Sequence, residues 1–358
     1  MTDPSASPPA VSGALTVGDA GERRVIALIR SLVPAPPPWL ITPIGDDAAV
    51  YEPERQRMEV QTVDALVEGV HFERAYVDPG SIGFKALAVN LSDLASMGAA
   101  PRTALLSLSL PASWPLADLE AMIRAMLDLA ARTGVTLIGG NVTRSPGPIF
   151  IDVMLTGSIK RRRVLTRAGA RPGDELFVSG TLGAAAAGFA WLRERAETRP
   201  AAFPADGHEP DMTDAVRGAV RRFLRPEPRL RFGVVAGRTR AAGACVDLSD
   251  GLADAVRHLS SASGVGVTLE VDALPVDPGA TEILGEGTER LKKAVLTGGE
   301  DYELLFAVPR RARRRFLAAQ RLAGVPATRI GFITADKALL LRSAHGDAAL
   351  PDGFEHFV

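Results

Sequence analysis

Six aspartates stand where a carboxylate has chemical use. Asp46 and Asp47 follow Gly45 in Ile44-Gly-Asp-Asp-Ala-Ala-Val50. Asp64 ends a run with strand character, and Asp93 lies in Asn90-Leu-Ser-Asp-Leu94 within an otherwise apolar helical pattern. Asp247 and Asp250 belong to Val246-Asp-Leu-Ser-Asp-Gly251, at a strand-to-helix junction. Each has a plain structural reading: Asp250 or Ser249 as a helix cap, Asp46 and Asp47 as a turn. Together they read differently. Asp93 among Leu91, Leu94 and Ala95 is costly to bury unless paired or metal-bound. Two carboxylates 4 Å apart repel by about 4 kcal/mol at an effective dielectric near 20. Converging carboxylates therefore require cations. With one cysteine, Cys245, and five histidines, hard, oxygen-ligated Mg2+ is the natural choice. Mg2+ on a few carboxylates is typical of sites that handle phosphate esters.

Two glycine motifs supply an anion-binding counterpart. Ser179-Gly-Thr-Leu-Gly183 and Ile138-Gly-Gly-Asn141 are each expected to end a strand. The first also opens a helix, where backbone N–H groups can hold an anion. The chain has no G-x-x-x-x-G-K-[ST] loop and no protein-kinase signature, so an ATP site here is of another type.

The surrounding pattern predicts the elements that position these groups. Helices are expected over Thr16 to Val33, Ser81 to Met97, Leu116 to Thr133, Gly183 to Arg195, Gly251 to Ser263 and Arg310 to Leu322. Strands are expected over Met58 to Asp64, Thr103 to Leu110, Thr136 to Ile138, Ile149 to Ile159, Glu175 to Ser179, Ala244 to Leu248, Val265 to Val271 and Tyr302 to Val308. Glu197 to Asp214, polar and proline-bearing, reads as an exposed loop. This is a mixed α/β (α+β) pattern and not a regular βαβ repeat. Each half carries a strand that ends in Asp before a helix, a hint of related domains.

The chain has 358 residues, which suits two domains. The basic run Lys160 to Arg163 marks a boundary, giving a tail over 1–15, an N-terminal domain over 16–159 and a C-terminal domain over 160–358. A formal net charge of −1 leaves no basic footprint for nucleic acid. No apolar run approaches the roughly 20 residues that span a bilayer. The Pro-, Ser- and Ala-rich start lacks the pattern of a secretory signal and reads as a disordered tail. A single cysteine permits no intrachain disulfide and fits a cytoplasmic location.

Six segments together resemble the thiamine-monophosphate kinase family. They are Ile44-Gly-Asp-Asp-Ala-Ala49, Asp64-Ala-Leu-Val-Glu-Gly-Val-His-Phe72, Lys85-Ala-Leu-Ala-Val-Asn-Leu-Ser-Asp-Leu94, Leu165-Thr-Arg-Ala-Gly169, Val246-Asp-Leu-Ser-Asp-Gly-Leu252 and Thr297-Gly-Gly-Glu-Asp-Tyr-Glu-Leu304. They occur in the family's order and cover nearly the whole chain after the tail. The resemblance implies the two-domain aminoimidazole ribonucleotide synthetase-like fold, dimerised through its N-terminal domain. It implies transfer of the γ-phosphoryl group of ATP directly to thiamine monophosphate, giving thiamine diphosphate, with no phosphoenzyme. Asp47, Thr62, Val63, Asp64, Asp93, Asn141, Asp247 and Asp250 would then ligate several Mg2+ ions. Gly140, Asn141, Arg167 and Ser249 would contact ATP. His71, Glu300 and Phe354 would touch thiamine monophosphate. No general base is assigned, because a phosphate nucleophile is already an anion.

Two positions depart from the family pattern. Asn141 stands where Asp is frequent, and Val63 where Thr is common. If both line one Mg2+, that ion binds more weakly. Plain structural roles compete for Lys85 (a solvated or helix-face lysine), His71 (a structural histidine), Phe354 (C-terminal packing), Arg225-Pro-Glu-Pro-Arg229 (a turn bounding a helix) and Cys245 (a small buried apolar residue). The alternatives are another ATP-dependent enzyme of the superfamily or a non-catalytic nucleotide-binding regulator.

Overall fold

The computed structural model describes residues 14–199, 201–204, 206–207, 209–210 and 212–353. Phe354 and residues 1–13 of the expected tail lie outside them. The first half runs α1 (Val17–Leu32), β1 (Leu40–Thr42), β2 (Val50–Tyr51), β3 (Met58–Val67), α2 (Pro79–Ser96), β4 (Ala100–Pro111), α3 (Leu116–Thr133), β5 (Thr136–Ser145) and β6 (Phe150–Ile159). The second half begins with β7 (Glu175–Ser179), α4 (Ala184–Thr198), α5 (Asp214–Leu224), α6 (Leu230–Thr239), β8 (Ala244–Asp247), α7 (Leu252–Ser263) and β9 (Gly266–Glu270). It continues through α8 (Pro278–Leu284), α9 (Glu289–Thr297), β10 (Leu304–Val308), α10 (Arg313–Ala323), β11 (Ala327–Thr334), β12 (Leu339–Ser343) and β13 (Gly346–Ala349).

Alternation along the first-half strands builds a four-stranded sheet, ordered β3-β6-β4-β5, with two different faces. Leu66, Leu106, Leu108, Ile151, Val153 and Leu155 turn inward and pack in one core with α2 and α3. The opposite face is open: Val63 is 58% exposed, Phe150 39% and Leu105 36%. Register sets side chains in rows across that face. Val63, Met154, Leu105 and Gly139 form one row, and Ala65, Asp152, Ser107 and Asn141 another.

The second-half sheet has seven strands, ordered β13-β12-β9-β11-β7-β10-β8. One face packs Phe177 and Phe306 against Phe232 of α6 and Phe316 of α10. The other packs Leu176, Val246 and Leu305 against α7, α8 and α9. Cys245 is buried, as expected of a small apolar residue, and burial pushes its thiol pKa up.

Helix α2 joins the halves. Asp78 caps it through Ser81 N, with Pro79 in its first turn. From Gly80 to Ser96 every residue but Asp93 is buried, so it is a central helix enclosed on all sides. Gly233 of α6 lets the two helices touch, because a Cβ there would lie 1.8 Å from Ala95 O.

The expected elements form, with four differences. Strand β3 continues past Asp64 to Val67, so only Asp247 ends its strand and the hint of matching strand ends is half met. Gly139-Gly140-Asn141 lies inside β5, which runs on to Ser145. Its partner β4 covers 12 residues, and that ladder draws β5 out. The 197–214 segment is more than an exposed loop: α4 extends to Thr198, Phe203 is buried beside the Trp191 ring, and Glu209 pairs with Arg195 and Arg199. Helices α5, α6, α8 and α9 and strands β11 to β13 go beyond the sequence expectations.

Candidate active site

Three elements bring carboxylates together. On β3, Thr62 and Asp64 share a face with buried Leu66 and so point toward α2. Thr62 Oγ1 donates to Asp93 Oδ2. The neighbouring Ser92 Oγ donates to Asp247 Oδ2 at 2.7 Å. One turn of α2 thus reaches both β3 and the end of β8. Three residues on, Asp250 accepts from Ser249 Oγ at 3.2 Å. The capping role for Asp250 or Ser249 does not hold: Gly251, at φ +96°, is the cap of α7, and no side chain bonds the helix end.

The electrostatics follow from this crowding. Burial, then the charges of Asp93, Asp247, Asp250 and Asp152, push the Asp64 pKa up to about 7. Burial and Asp93 push Asp247 up to about 6, although Ser92 and Arg167 act against it. Asp93 is raised by burial and held back by Thr62, Arg167 and a hydrogen bond with Asp64. The charge on Asp93 thus disfavours ionisation of Asp64 beside it. Arg167 is exposed, and its charge is felt at Asp93, Asp247 and Asp254. A site that keeps protons on carboxylates near neutrality is one that a cation would relieve. Among the described residues, no three His, Cys, Asp or Glu side chains are set to hold one ion alone. Mg2+ suits such a set, because it usually keeps several waters and takes only one or two carboxylates plus substrate phosphates.

The Gly298–Glu303 segment lies against the same loop. Glu300 N donates to Ser249 O at 2.7 Å, and Tyr302 N to Leu248 O at 3.0 Å. Glu300 Oε1 meets Lys85 Nζ at 2.6 Å. Lys85 is no solvated helix-face lysine: it is 2% exposed, and the Phe223 ring lies under its ammonium. Asp301 accepts from Gly183 N at 2.6 Å and Ala185 N at 3.0 Å. That overturns the expected anion site at Ser179–Gly183. Those N–H groups already hold a protein carboxylate, Gly180 N donates to Pro326 O, and Leu182 N to Pro275 O. Glu303 is fully buried and bonded by Ser179, Arg222 and Arg229.

The remaining expected residues fall elsewhere. Asp47 is exposed in the turn between β1 and β2, and its N–H donates to Asp46 Oδ1 at 2.8 Å. With Gly140, Asn141 and Asp152 it lines a cavity of ≈ 920 Å3 beside α1 and the open sheet face. Val63 lies on that face on β3, whereas Asn141 is on β5 at the opposite sheet edge. Three strand spacings, about 14 Å, separate those strands, so the two do not share an ion within one chain. His71 sits just after β3, its Nδ1 accepting from Val67 N at 3.1 Å. Asp152, Glu303, Arg222 and Arg229 are additions to the residues expected from sequence. The alternation of β6 could have found Asp152; the partners of Glu303 are 74 to 124 residues away and left no local signal.

Comparison with known proteins follows the same outline. The family model "AIR synthase related protein, N-terminal domain" matches residues 45–159. Its C-terminal counterpart matches residues 171–342. The chain is 41% identical to thiamine-monophosphate kinase from Salmonella typhimurium, over 82% of this chain and 85% of that protein. A crystal structure of thiamine-monophosphate kinase from Stenotrophomonas maltophilia superposes with a TM-score of 0.75 at 34% identity, covering 89% of this chain and 94% of that one. A structure described as AaThiL complexed with AMPPCP and TMP superposes with a TM-score of 0.72 at 30% identity, covering 95% of this chain and 98% of that one.

Proposed function

The chain belongs to the thiamine-monophosphate kinase family, and from that membership we propose that it phosphorylates thiamine monophosphate to thiamine diphosphate with ATP. The observation that carries this reading is the convergence of Asp64, Asp93, Asp247 and Asp250 from β3, α2 and the β8–α7 loop, beside Glu300. The γ-phosphoryl group passes directly to the acceptor's phosphate. Two anions must be brought into line, so the protein's task is neutralisation, alignment and exclusion of water.

In this reading Asp64, Asp93, Asp247 and Asp250, with Asp47 and Thr62, hold Mg2+. When bound, the ions offset the charge that builds between donor and acceptor phosphates. Ser92 and Thr62 orient the carboxylates. Arg167 supplies an exposed guanidinium to the nucleotide phosphates, with Ser249, Gly140 and Asn141 as further nucleotide contacts. Glu300 faces the acceptor, whose thiazolium ring is a permanent cation. His71, whose Nδ1 accepts from Val67 N, is an acceptor contact in this assignment. Phe354 is the remaining acceptor contact in this assignment.

Two copies are expected to pair through the open sheet face, which exposes Val63, Leu105 and Phe150. Face-to-face pairing would also let Val63 of one copy approach Asn141 of the other. The working division remains 16–159 for nucleotide, metal and dimer contacts and 160–358 for the second domain. A cytoplasmic location is part of this proposal; no helix of the described residues is long and apolar enough to cross a membrane.

Incubation of the purified protein with ATP, Mg2+ and thiamine monophosphate should yield thiamine diphosphate, and free thiamine should not replace the acceptor. Phosphorylation of thiamine with no action on its monophosphate would refute the assignment. Asn141→Asp should lower the Mg2+ concentration needed for half-maximal rate by a few-fold, because a full charge is added near a hard cation. Superimposed Mg2+ titrations of the two proteins at fixed ATP would remove Asn141 from the metal site.

A further inference from the structure

Lys85 is an unusual residue to bury. It is 2% exposed in the middle of α2, surrounded by buried positions from Gly80 to Ser92. A lysine is almost never fully buried unless paired. Its partner here is Glu300, at 2.6 Å from Oε1. Among the described residues Nζ has no hydrogen-bond partner. The attraction is therefore a close ion pair, seated on the Phe223 ring at 4.0 Å.

Glu300 is itself held in an unusual way. Its φ is +70°, and that of Tyr302 is +49°, two left-handed non-glycine residues within three positions. Such backbone persists only where its surroundings over-determine it. The N–H groups of Glu300 and Tyr302 are tied to Ser249 O and Leu248 O. Lys85 is the one ion-pair partner of the Glu300 carboxylate among the described residues, and that side chain keeps 26% exposure. Lys85 lies eight residues before Asp93, about two turns away along α2. The same helix thus fixes Asp93 at the carboxylate cluster and Glu300 on the far side of the β8–α7 loop.

We propose that Lys85 is a positioning residue for the acceptor: it clamps one oxygen of Glu300 and so aims the carboxylate at the cationic ring system of thiamine monophosphate. This rests on the reading above that Glu300 faces the acceptor. With the clamp gone, Glu300 is free to turn to other rotamers and into water, and the acceptor loses an aligned counter-charge. ATP, held by other residues, is not affected in the same way.

The test is steady-state kinetics of the full chain with each substrate varied in turn. Lys85→Met should raise KM for thiamine monophosphate by about tenfold and leave KM for ATP within about twofold. Lys85→Gln keeps a donor toward Glu300 and should fall between Lys85→Met and wild type. Glu300→Gln should raise the acceptor KM as well, and adding Lys85→Met to it should cost little more, because the two act as one unit. An unchanged acceptor KM in Lys85→Met or Lys85→Gln, with a raised one in Glu300→Gln, overturns the proposal. So does an equal rise of both KM values with a fallen thermal midpoint, which marks Lys85 as merely structural. Should Lys85→Met not fold, Lys85→Gln decides by the same criteria. Failure of Glu300→Gln to change the acceptor KM instead refutes the assignment of Glu300 to the acceptor.

Discussion

Asp93→Asn is expected to leave a folded protein whose turnover is reduced by roughly a thousandfold. The side chain keeps its size and an oxygen that can accept from Thr62 Oγ1, the bond that Asp93 Oδ2 accepts now. What it loses is charge at the point where β3, α2 and β8 meet. In the metal-free protein that loss is a relief, because Asp93 raises the pKa of both Asp64 and Asp247. The sign follows from linkage. An acid whose folded pKa lies above its unfolded value takes up protons on folding, so stability is lost as pH rises from the unfolded value toward the folded one. For Asp64 that window runs from 3.8 to about 7, and for Asp247 from 3.8 to about 6. Metal-free wild type should therefore lose thermal stability across this range, and Asp93→Asn should flatten the loss. Thermal midpoints from pH 4 to 8 in a chelator (about four points suffice), with turnover in saturating Mg2+, check both parts. Near-normal turnover would take Asp93 out of the site. A collapsed midpoint with a lost fold would make it structural.

Much of this arrangement could be read from the chain because its signals are local. Apolar periodicity marked α2 and α3 to within two residues at either end. Alternation marked β4 and β6, and β7 formed over its expected bounds. The oddity of an aspartate inside an apolar helix identified Asp93, and the structure puts it against Thr62 and Asp64. The order of the motifs led to the family. What stayed out of reach depends on partners far along the chain. Ser179-Gly-Thr-Leu-Gly183 has every local mark of an anion loop, yet the anion it binds is Asp301, more than 100 residues away. Lys85 reads as a solvated lysine until Glu300 and Phe223, from two other elements, close over it. The end of β5 depended on β4 running alongside it, which no stretch of β5 encodes. Asp47, Gly140 and Asn141 form a different case. The motifs name them with the carboxylates, but they line the open-face cavity, on the side of the sheet opposite the one to which Asp64 points.

Glu303→Gln is expected to cost about 3–5 kcal/mol of stability, a fall in thermal midpoint on the order of 10 °C. Glu303 has no exposed surface. Burial alone would raise its pKa, but Arg229, Arg222 and Ser179 hold the carboxyl below its usual range. Arg229 Nε donates to it at 2.7 Å and Ser179 Oγ at 2.5 Å, while Arg222 Nη1 donates from α5. The carboxylate thus gathers β7, α5 and the 225–229 turn around the start of β10. The backbone has made room for it: Gly180 has φ +58°, and a Cβ there would lie 2.1 Å from Glu303 Oε1. Glutamine fits the same space but leaves two guanidiniums, 18% and 12% exposed, with no negative charge on their shared acceptor. Removing one partner of a buried ionic cluster costs far more than the cluster contributes over an apolar replacement, because the stranded charges stay desolvated. The loss should be largest above pH 4.5, the ordinary value. It should shrink in acid, as the wild-type carboxyl takes up its own proton through its lowered folded pKa. Asp301 and Glu300 precede it in the same segment, so acceptor binding should weaken alongside stability, while carboxylates on β3 and α2 keep their places. Denaturant titrations of wild type and Glu303→Gln at pH 7.5 and in acid (about pH 4) decide the matter. Equal midpoints at both pH values would mean that Arg222 and Arg229 find solvent, and that this cluster does not hold the segment in place.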